Sequence, residues 1–591
     1  MCGIFALLNN SNIPIEFIKN EIEKGKNRGP DNSQYLKLFD NNSIWGFHRL
    51  AINGLNDTSN QPFNIDNIML ICNGEIYNYK ELYKFMNIKP KTGSDCEVII
   101  YLYLNYGIEQ TLKMLDGVFA FILYDTIERK CFVARDPYGV RPLYHLRNNN
   151  VENYNHIGFA SELKCLADIA VYNYGMYMNM NKIEQFTPGT FSVLSLLDNN
   201  IWDYEREYVP YFIPSFYYPI KTLNNNYWGN NVIRKTIQDS LLSAVEKRCL
   251  NTERPIACLL SGGLDSSLIA ALVNRFYKMN NYTTILETYS IGLEGSVDLK
   301  YAKIVAEYLG TKHTEVIVTE DEMFKAIPEV IYAIESFDTT TIRASIGNYL
   351  VGKYISKHSE AKVIFNGDGA DELCGGYLYM SNCPDCIEFD KETMRLLKDI
   401  HTFDVLRSDK CISSNGLEPR TPYLDKTFVN SYLSISPDVR FQTNKQIEKF
   451  LIRDTFAIPN FRPFEDDLEK QILPNEVLWR KKEAFSDGVT GHGRSLYQIL
   501  QEKIAAKLNQ PIIIIDINDK NEEICENDKN EENCIKYEAN IDTEKKYYKD
   551  LFFDMYHQTL CEEIIPYYWM PKYTNASDPS ARTLSHYRGN P

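Results

Sequence analysis

The 591-residue sequence contains no uninterrupted apolar run of about 18 residues, so no membrane-spanning helix is expected. A basic stripe is missing as well. With 63 Lys and Arg against 79 Asp and Glu the net charge is −16, and abundant Tyr alone does not make a nucleic-acid surface. No charged leader with an apolar core precedes Ile4, and the 14 Cys form no dense framework, which points to the cytoplasm. Cys383 and Cys386 have the spacing of half a zinc or redox site. Neither a second CxxC nor an HxxxH completes four ligands, so the pair reads as a turn. Also absent is GxxxxGK[ST], the loop of Walker nucleotidases.

What the chain does have is an apolar strand over 256–260 that empties into SGGLDSS at 261–267 and then into a helix. Gly262 and Gly263 let the backbone approach an anion, Ser261, Ser266 and Ser267 offer hydroxyls, and the N–H groups of Ser266 and Ser267 sit at the helix start. This is a phosphate cradle. It resembles the pyrophosphate-binding loop of the ATP pyrophosphatases, which adenylate a substrate and release pyrophosphate. At the other end, Cys2 follows Met1 and leads into a strand. If Met1 is removed, Cys2 carries nucleophile and base in one residue, because an α-amino group with a reference pKa of about 7.7 to 8.0 can take the thiol proton.

At 44% apolar content, 591 residues exceed what one core usually supports, so two domains or more are expected. Residues 1–203 read as the first, with strands over 4–8, 44–52, 68–72, 118–124, 131–135, 157–161 and 191–196 and helices over 80–85 and 95–106. Residues 204–229, rich in Tyr and Pro without a period, read as a linker. From 230 to 591 helices alternate with short apolar strands, the signature of a parallel sheet. Strands are expected over 256–260, 288–292, 314–319 and 362–365, and helices over 232–249, 266–277, 299–309, 322–335 and 342–358. Nucleotides bind at the carboxyl ends of such strands, where Ser261, Ile291 and Asn366 sit. Residues 516–546, rich in Asp, Asn, Glu and Lys, read as a disordered acidic insertion.

Further motifs add up in order. RGPD at 28–31, HRLAI at 48–52, CNGEIYN at 72–78 and TGSDCE at 92–97 resemble the glutaminase domain of class II, N-terminal-nucleophile amidotransferases. With IESFDTTTIRAS at 334–345, NGDGADE at 366–372, GGY at 375–377, EPRTPYLD at 418–425 and WRKKEAFSDG at 479–488, nearly the whole chain resembles the glutamine-hydrolysing asparagine synthetases. The resemblance implies an α+β layered sandwich (αββα) followed by an α/β parallel-sheet ATP-pyrophosphatase domain.

It also implies roles. Cys2 attacks the glutamine amide, while Asn73 and Gly74 stabilise the oxyanion. Arg49, with Leu50, Ala51, Ile52 and Asn53 beside it, clamps the substrate carboxylate, and Glu75 and Asp95 receive its ammonium. Leu260 and Ile291 flank the nucleoside of ATP. Residues Ser261, Gly262, Gly263, Asp265, Ser266 and Ser267 hold pyrophosphate, Lys482 contacts phosphate oxygens, Asn366 and Gly367 also bind ATP, and Asp265 and Asp371 bind Mg²⁺. Thr340, Thr341, Arg343, Asp371, Asp404 and Arg407 form the aspartate and intermediate pocket. The implied partners are small molecules, glutamine, aspartate and ATP, and the resembled enzymes often dimerise. One departure matters. The family usually has SGEGSDE where this chain reads NGDGADE, so Asp368 replaces a catalytic Glu and shortens its reach by a methylene. A glutaminase with a silent synthetase half is the alternative that this change keeps open, and a scaffold descended from a synthetase is another.

Overall fold

The computed structural model describes residues 1–10, 12–38, 42–148, 156–172, 181–214, 225–441, 447–457, 471–491, 494–509 and 537–584. Among the described residues, twelve strands fill the first third. They are β1 (Gly3–Leu8), β2 (Asn32–Lys37), β3 (Ile44–Arg49), β4 (Phe63–Ile65), β5 (Ile68–Ile76), β6 (Gly117–Asp125), β7 (Lys130–Arg135), β8 (Tyr144–Asn148), β9 (Ile157–Ala160), β10 (Asn181–Gln185), β11 (Thr190–Leu196) and β12 (Trp202–Pro210). They pair into two antiparallel sheets, ordered β10-β8-β9-β1-β3-β2 and β12-β11-β7-β6-β5-β4.

Side-chain alternation explains the layering. In β1, Ile4, Ala6 and Leu8 face the opposing sheet, where they meet Met69, Ile71 and Ile122. Phe5 and Leu7 face outward and are covered by Ile18 and Ile22 of helix Ile15–Glu23 and by Leu166 of helix Lys164–Val171. The outer face of the second sheet, through Leu70, Phe121 and Leu123, is covered by helices Tyr79–Met86 and Val98–Met114. The result is the expected αββα sandwich. Every strand and helix expected here is present, mostly extended by a residue or more. The helix expected over 95–106 is one 3₁₀ turn, Asp95–Glu97, followed by Val98–Met114, which kinks at Gly107.

The linker reading is corrected at both ends. Residues 204–210 continue β12, pairing with β11, and Asn225–Leu250 is a single helix; of what remains of the linker, 215–224 lie outside the described residues. Beyond it, β13 (Ile256–Leu259), β14 (Glu287–Gly292), β15 (Lys312–Ile317), β16 (Val363–Phe365) and β17 (Glu418–Arg420) form a parallel sheet ordered β15-β14-β13-β16-β17. Helices Leu264–Met279, Val297–Leu309 and Thr339–His358 connect its strands. The helix expected over 322–335 is broken in two, Glu320–Lys325 and Ile327–Ile334, where Pro328 starts the second as a first-turn residue.

The insertion reading is corrected too. Residues 516–536 lie outside the described residues, but 537–546 are ordered. Asn540 caps helix Ile541–Met555 by accepting from the Thr543 N–H at 3.0 Å, and Glu544 is fully buried. No helix among the described residues is long and apolar enough to cross a membrane.

Candidate functional site

Two groups of expected residues gather, one in each unit, joined by a buried seam. The first surrounds Cys2 at the head of β1. Its peptide N–H donates to Asn73 Oδ1 at 3.1 Å, and its Sγ lies 3.8 Å from the Leu50 carbonyl. Burial pushes the Cys2 thiol above its ordinary range. Asn73 Nδ2 donates to Ser161 Oγ, which also accepts from the Ile4 N–H, so the carboxamide is braced by β1 and by the residue after β9. Gly74 has no room for a side chain, because a Cβ would lie 2.6 Å from the Val118 carbonyl of β6.

Arg49 differs from expectation. Its guanidinium donates to the Asn56 carbonyl and Asn60 Oδ1 at 2.9 and 2.7 Å and to the Asn53 and Gly54 carbonyls, so it shapes the loop that follows β3. That loop is tied to the second unit, where Arg254 Nε donates to the Ala51 carbonyl and the Glu253 N–H to the Ile52 carbonyl, and within its own unit Asn53 Nδ2 donates to Glu75. Glu75 also accepts from Asn251 and lies 3.3 Å from Arg420. Asp95 accepts the Ile76 N–H at 2.6 Å. Burial lifts Asp95 to about 6, and burial together with Asp95 and Glu418 raises Glu75 well above the carboxylate range. The pocket therefore disfavours carboxylate charge until a cation enters it, which is the electrostatics of an ammonium site.

The second group lines a cavity of about 220 Å³ at the carboxyl ends of β13, β14 and β16. Leu260, Ser261, Gly263, Asp265, Ser266, Ile291, Asn366, Gly367, Asp368, Asp371, Thr340, Thr341, Asp404, Arg407 and Lys482 all face it. Three expected residues do not. Gly262, at φ +71°, packs against the helix Val297–Leu309, where a Cβ would meet the Ala302 nitrogen at 2.4 Å. Ser267 is fully buried and its N–H bonds to the Gly263 carbonyl, because the helix starts at Leu264, two residues earlier than expected. Arg343 points away: its fork grips Glu544 and Asp578, with Nη1 2.7 Å from Asp578. It is a tether rather than a free substrate ligand.

The cradle is preorganised. Ser261 and Ser266 hydroxyls bond each other at 2.9 Å, and Gly367 closes the far side so tightly that a Cβ would meet the Ser266 nitrogen at 2.7 Å. Behind it stands Lys449, which the sequence reading missed. It is buried, and its Nζ lies 2.5 Å from both Asp265 and Asp371, while Lys482 also bonds Asp371. Burial opposes charge on Asp371, but the two ammonium groups outweigh it and hold that carboxyl below its ordinary value. Asp265 Oδ1 is buried with no protein partner. No cluster of three or more His, Cys, Asp or Glu able to hold a metal occurs among the described residues. Two carboxylates with one orphaned oxygen nevertheless suit Mg²⁺, which takes few protein ligands and completes its shell with phosphates and water.

Asp368 Oδ1 lies 3.4 Å from Arg407, and its Oδ2 is buried without a protein partner. Asp404 bonds Arg407 and accepts the Gly369 N–H at 2.9 Å; burial raises it to about 6 against the pull of Arg407. Thr341 is committed to helix capping, giving its N–H and hydroxyl to Asp338.

Between the groups runs a seam of buried charge. Arg28 donates to the Cys2 carbonyl at 3.0 Å and pairs with Glu162 and Asp409 at 2.7 and 2.8 Å. Arg141 lies 3.3 Å from Asp409, and Glu418 pairs with Arg420 and with the Met1 ammonium.

A glutamine amidotransferase domain family matches residues 1–194, and an asparagine synthase family matches residues 236–388 and 383–546. The glutamine-hydrolyzing asparagine synthetase of Gallus gallus is 38% identical over 603 residues, covering 100% of this chain and 99% of its own. That of Cricetulus griseus is 37% identical over 605 residues with the same coverage. A solved structure of the allosteric regulatory enzyme of purine biosynthesis covers 54% of this chain and 80% of its own at 15% identity and a TM-score of 0.29.

Proposed function

The chain belongs to the glutamine-hydrolysing asparagine synthetases, and from that membership we propose how its own residues divide the synthesis of asparagine from aspartate, glutamine and ATP. Once Met1 is removed, the nitrogen that now bonds Asn73 becomes the α-amine that accepts the Cys2 thiol proton. The thiolate attacks the glutamine amide, and Asn73 Nδ2 with the Gly74 N–H holds the oxyanion as charge develops. Asp95 and Glu75 hold the substrate ammonium.

In the second site, Lys449 and Lys482 balance the phosphates of ATP over the Ser261–Gly263–Ser266 cradle, and the aspartate carboxylate displaces pyrophosphate to give an acyl-adenylate. Mg²⁺ on Asp265 and Asp371 would neutralise charge on the departing pyrophosphate. Asp368 and Arg407 then face the acyl centre where ammonia completes the amide. The observation that carries this reading is the convergence of the cradle, two carboxylates and two lysines in one cavity. A cytoplasmic, membrane-free setting and a homodimer belong to the same reading.

Incubating the purified protein with amide-¹⁵N glutamine, aspartate and Mg-ATP tests it by mass spectrometry. Labelled asparagine with AMP and pyrophosphate is expected. Glutamate and free ammonia alone would leave a glutaminase and single out Asp368.

A further inference from the structure

The C-terminal segment 565–584 is bound to three sides of the synthetase cavity, and two of its aromatic residues line it. Asp338 makes the central connection. One of its oxygens accepts the N–H and hydroxyl of Thr341, capping helix Thr339–His358, while the other accepts the Trp569 N–H at 2.8 Å. A single carboxylate thus sets the helical turn that presents Thr340 and the backbone that presents the indole. Thr340 Oγ1 lies 3.4 Å from the Trp569 carbonyl, and the Tyr377 ring packs on the indole with centroids 5.2 Å apart. Opposite, Tyr567 donates to Asp399 at 2.6 Å. On the third side Ser580 donates to Asp487 and Arg582 to Glu483, the residue after Lys482.

We propose that this segment is the far wall of the acceptor half of the cavity and that Trp569 sets which amino dicarboxylic acid fits there. The inference rests on the asparagine-forming reading. On that reading the nucleoside takes the Leu260 and Ile291 end of the cavity and the phosphates the Lys449 side, which leaves the acid the side of Thr340, Tyr377 and Trp569. Trp569 is 8% exposed and its backbone is fixed on both faces. Its ring therefore limits the length of the acid in a way that a mobile side chain would not. Arg343 becomes a positioning residue: held by Glu544 and Asp578, it fastens the segment instead of touching substrate.

The full-length protein, assayed with ammonium as nitrogen donor, tests this with Trp569→Ala and Trp569→Phe. Trp569→Ala is expected to raise the KM for aspartate about tenfold or more, leave the KM for ATP and glutamine hydrolysis nearly unchanged, and raise glutamate use relative to aspartate. Trp569→Phe should restore most of the aspartate affinity. If Trp569→Ala hydrolyses glutamine normally yet keeps the native aspartate KM and selectivity, the wall assignment is overturned. Should the native protein form no asparagine, the reaction reading fails separately, and calorimetric binding of aspartate to native and Trp569→Ala proteins still decides: equal affinity overturns the proposal, and weaker binding by the variant supports it.

Discussion

Two carboxylates in these sites have chemistry that their side chains alone do not reveal. Asp95, lifted by burial to about 6, carries its charge only above that pH. As pH falls through about 6 the pocket loses the anion proposed to hold the glutamine ammonium, so kcat/KM for glutamine hydrolysis should drop on the acid side. Asp95→Asn should depress kcat/KM at neutral pH and flatten that limb, which a pH profile of glutaminase activity checks. Asp368 is the other. Its Oδ1 only just reaches Arg407 and its Oδ2 bonds nothing in the protein, as expected of an acid one methylene short. Asp368→Glu should therefore preserve asparagine formation or raise it severalfold. Because about 1 Å of misplacement can cost on the order of a hundredfold, a collapse in steady-state rate would show a site tuned to the shorter acid.

Among the elements, legibility followed periodicity. Strands with both faces buried, such as β1, β6 and the first five residues of β5, print apolar runs and were readable from sequence. Of the edge and three-residue strands, β15 and β16 were readable, but β2, β4, β10, β12 and β17 were not. β2 is polar and half exposed, and β17 is only Glu418–Arg420, too short for any period. The cradle was readable because its glycines and hydroxyls are contiguous, whereas Lys449 stands in no motif and reaches the site only through tertiary packing. Arg343 shows the converse: its motif is legible, but its partners come from 201 and 235 residues away. Gly262 makes the point testable. Its positive φ and the nearby Ala302 nitrogen exclude a Cβ, so Gly262→Ala should displace the cradle. Asparagine formation should fall by about a hundredfold or more while glutamine hydrolysis persists, as parallel assays of the two half-reactions would reveal.

At the level of the molecule, the buried seam joins the two sites mechanically. Arg28 touches the Cys2 carbonyl, Glu162 of the first unit and Asp409 of the second. Asp409 lies on helix Asp404–Ser413, which also carries Arg407 to Asp368. Arg28→Met would take one cation from each of two buried carboxylates, leaving Glu162 with Lys164 and Lys410 and Asp409 with Arg141, so the loss should stay below the ~3–5 kcal/mol typical of a fully broken buried pair. Thermal melting should fall accordingly. If the protein still folds at low temperature, glutamate should form in excess over asparagine, which product ratios from labelled glutamine would measure.

The same seam bears on how such a protein can be recombined. Its two units look separable along the chain, yet the ions that join them are buried, mutually complementary and drawn from both sides. A glutaminase half transplanted from a relative would bring its own arginines and carboxylates to a surface that matches only the original partner. The unit of inheritance that a hybrid must respect is thus the pair of halves with its contact face, and a graft made between β12 and the helix Asn225–Leu250 works only if Arg28, Glu162, Asp409 and Glu418 keep their counterparts.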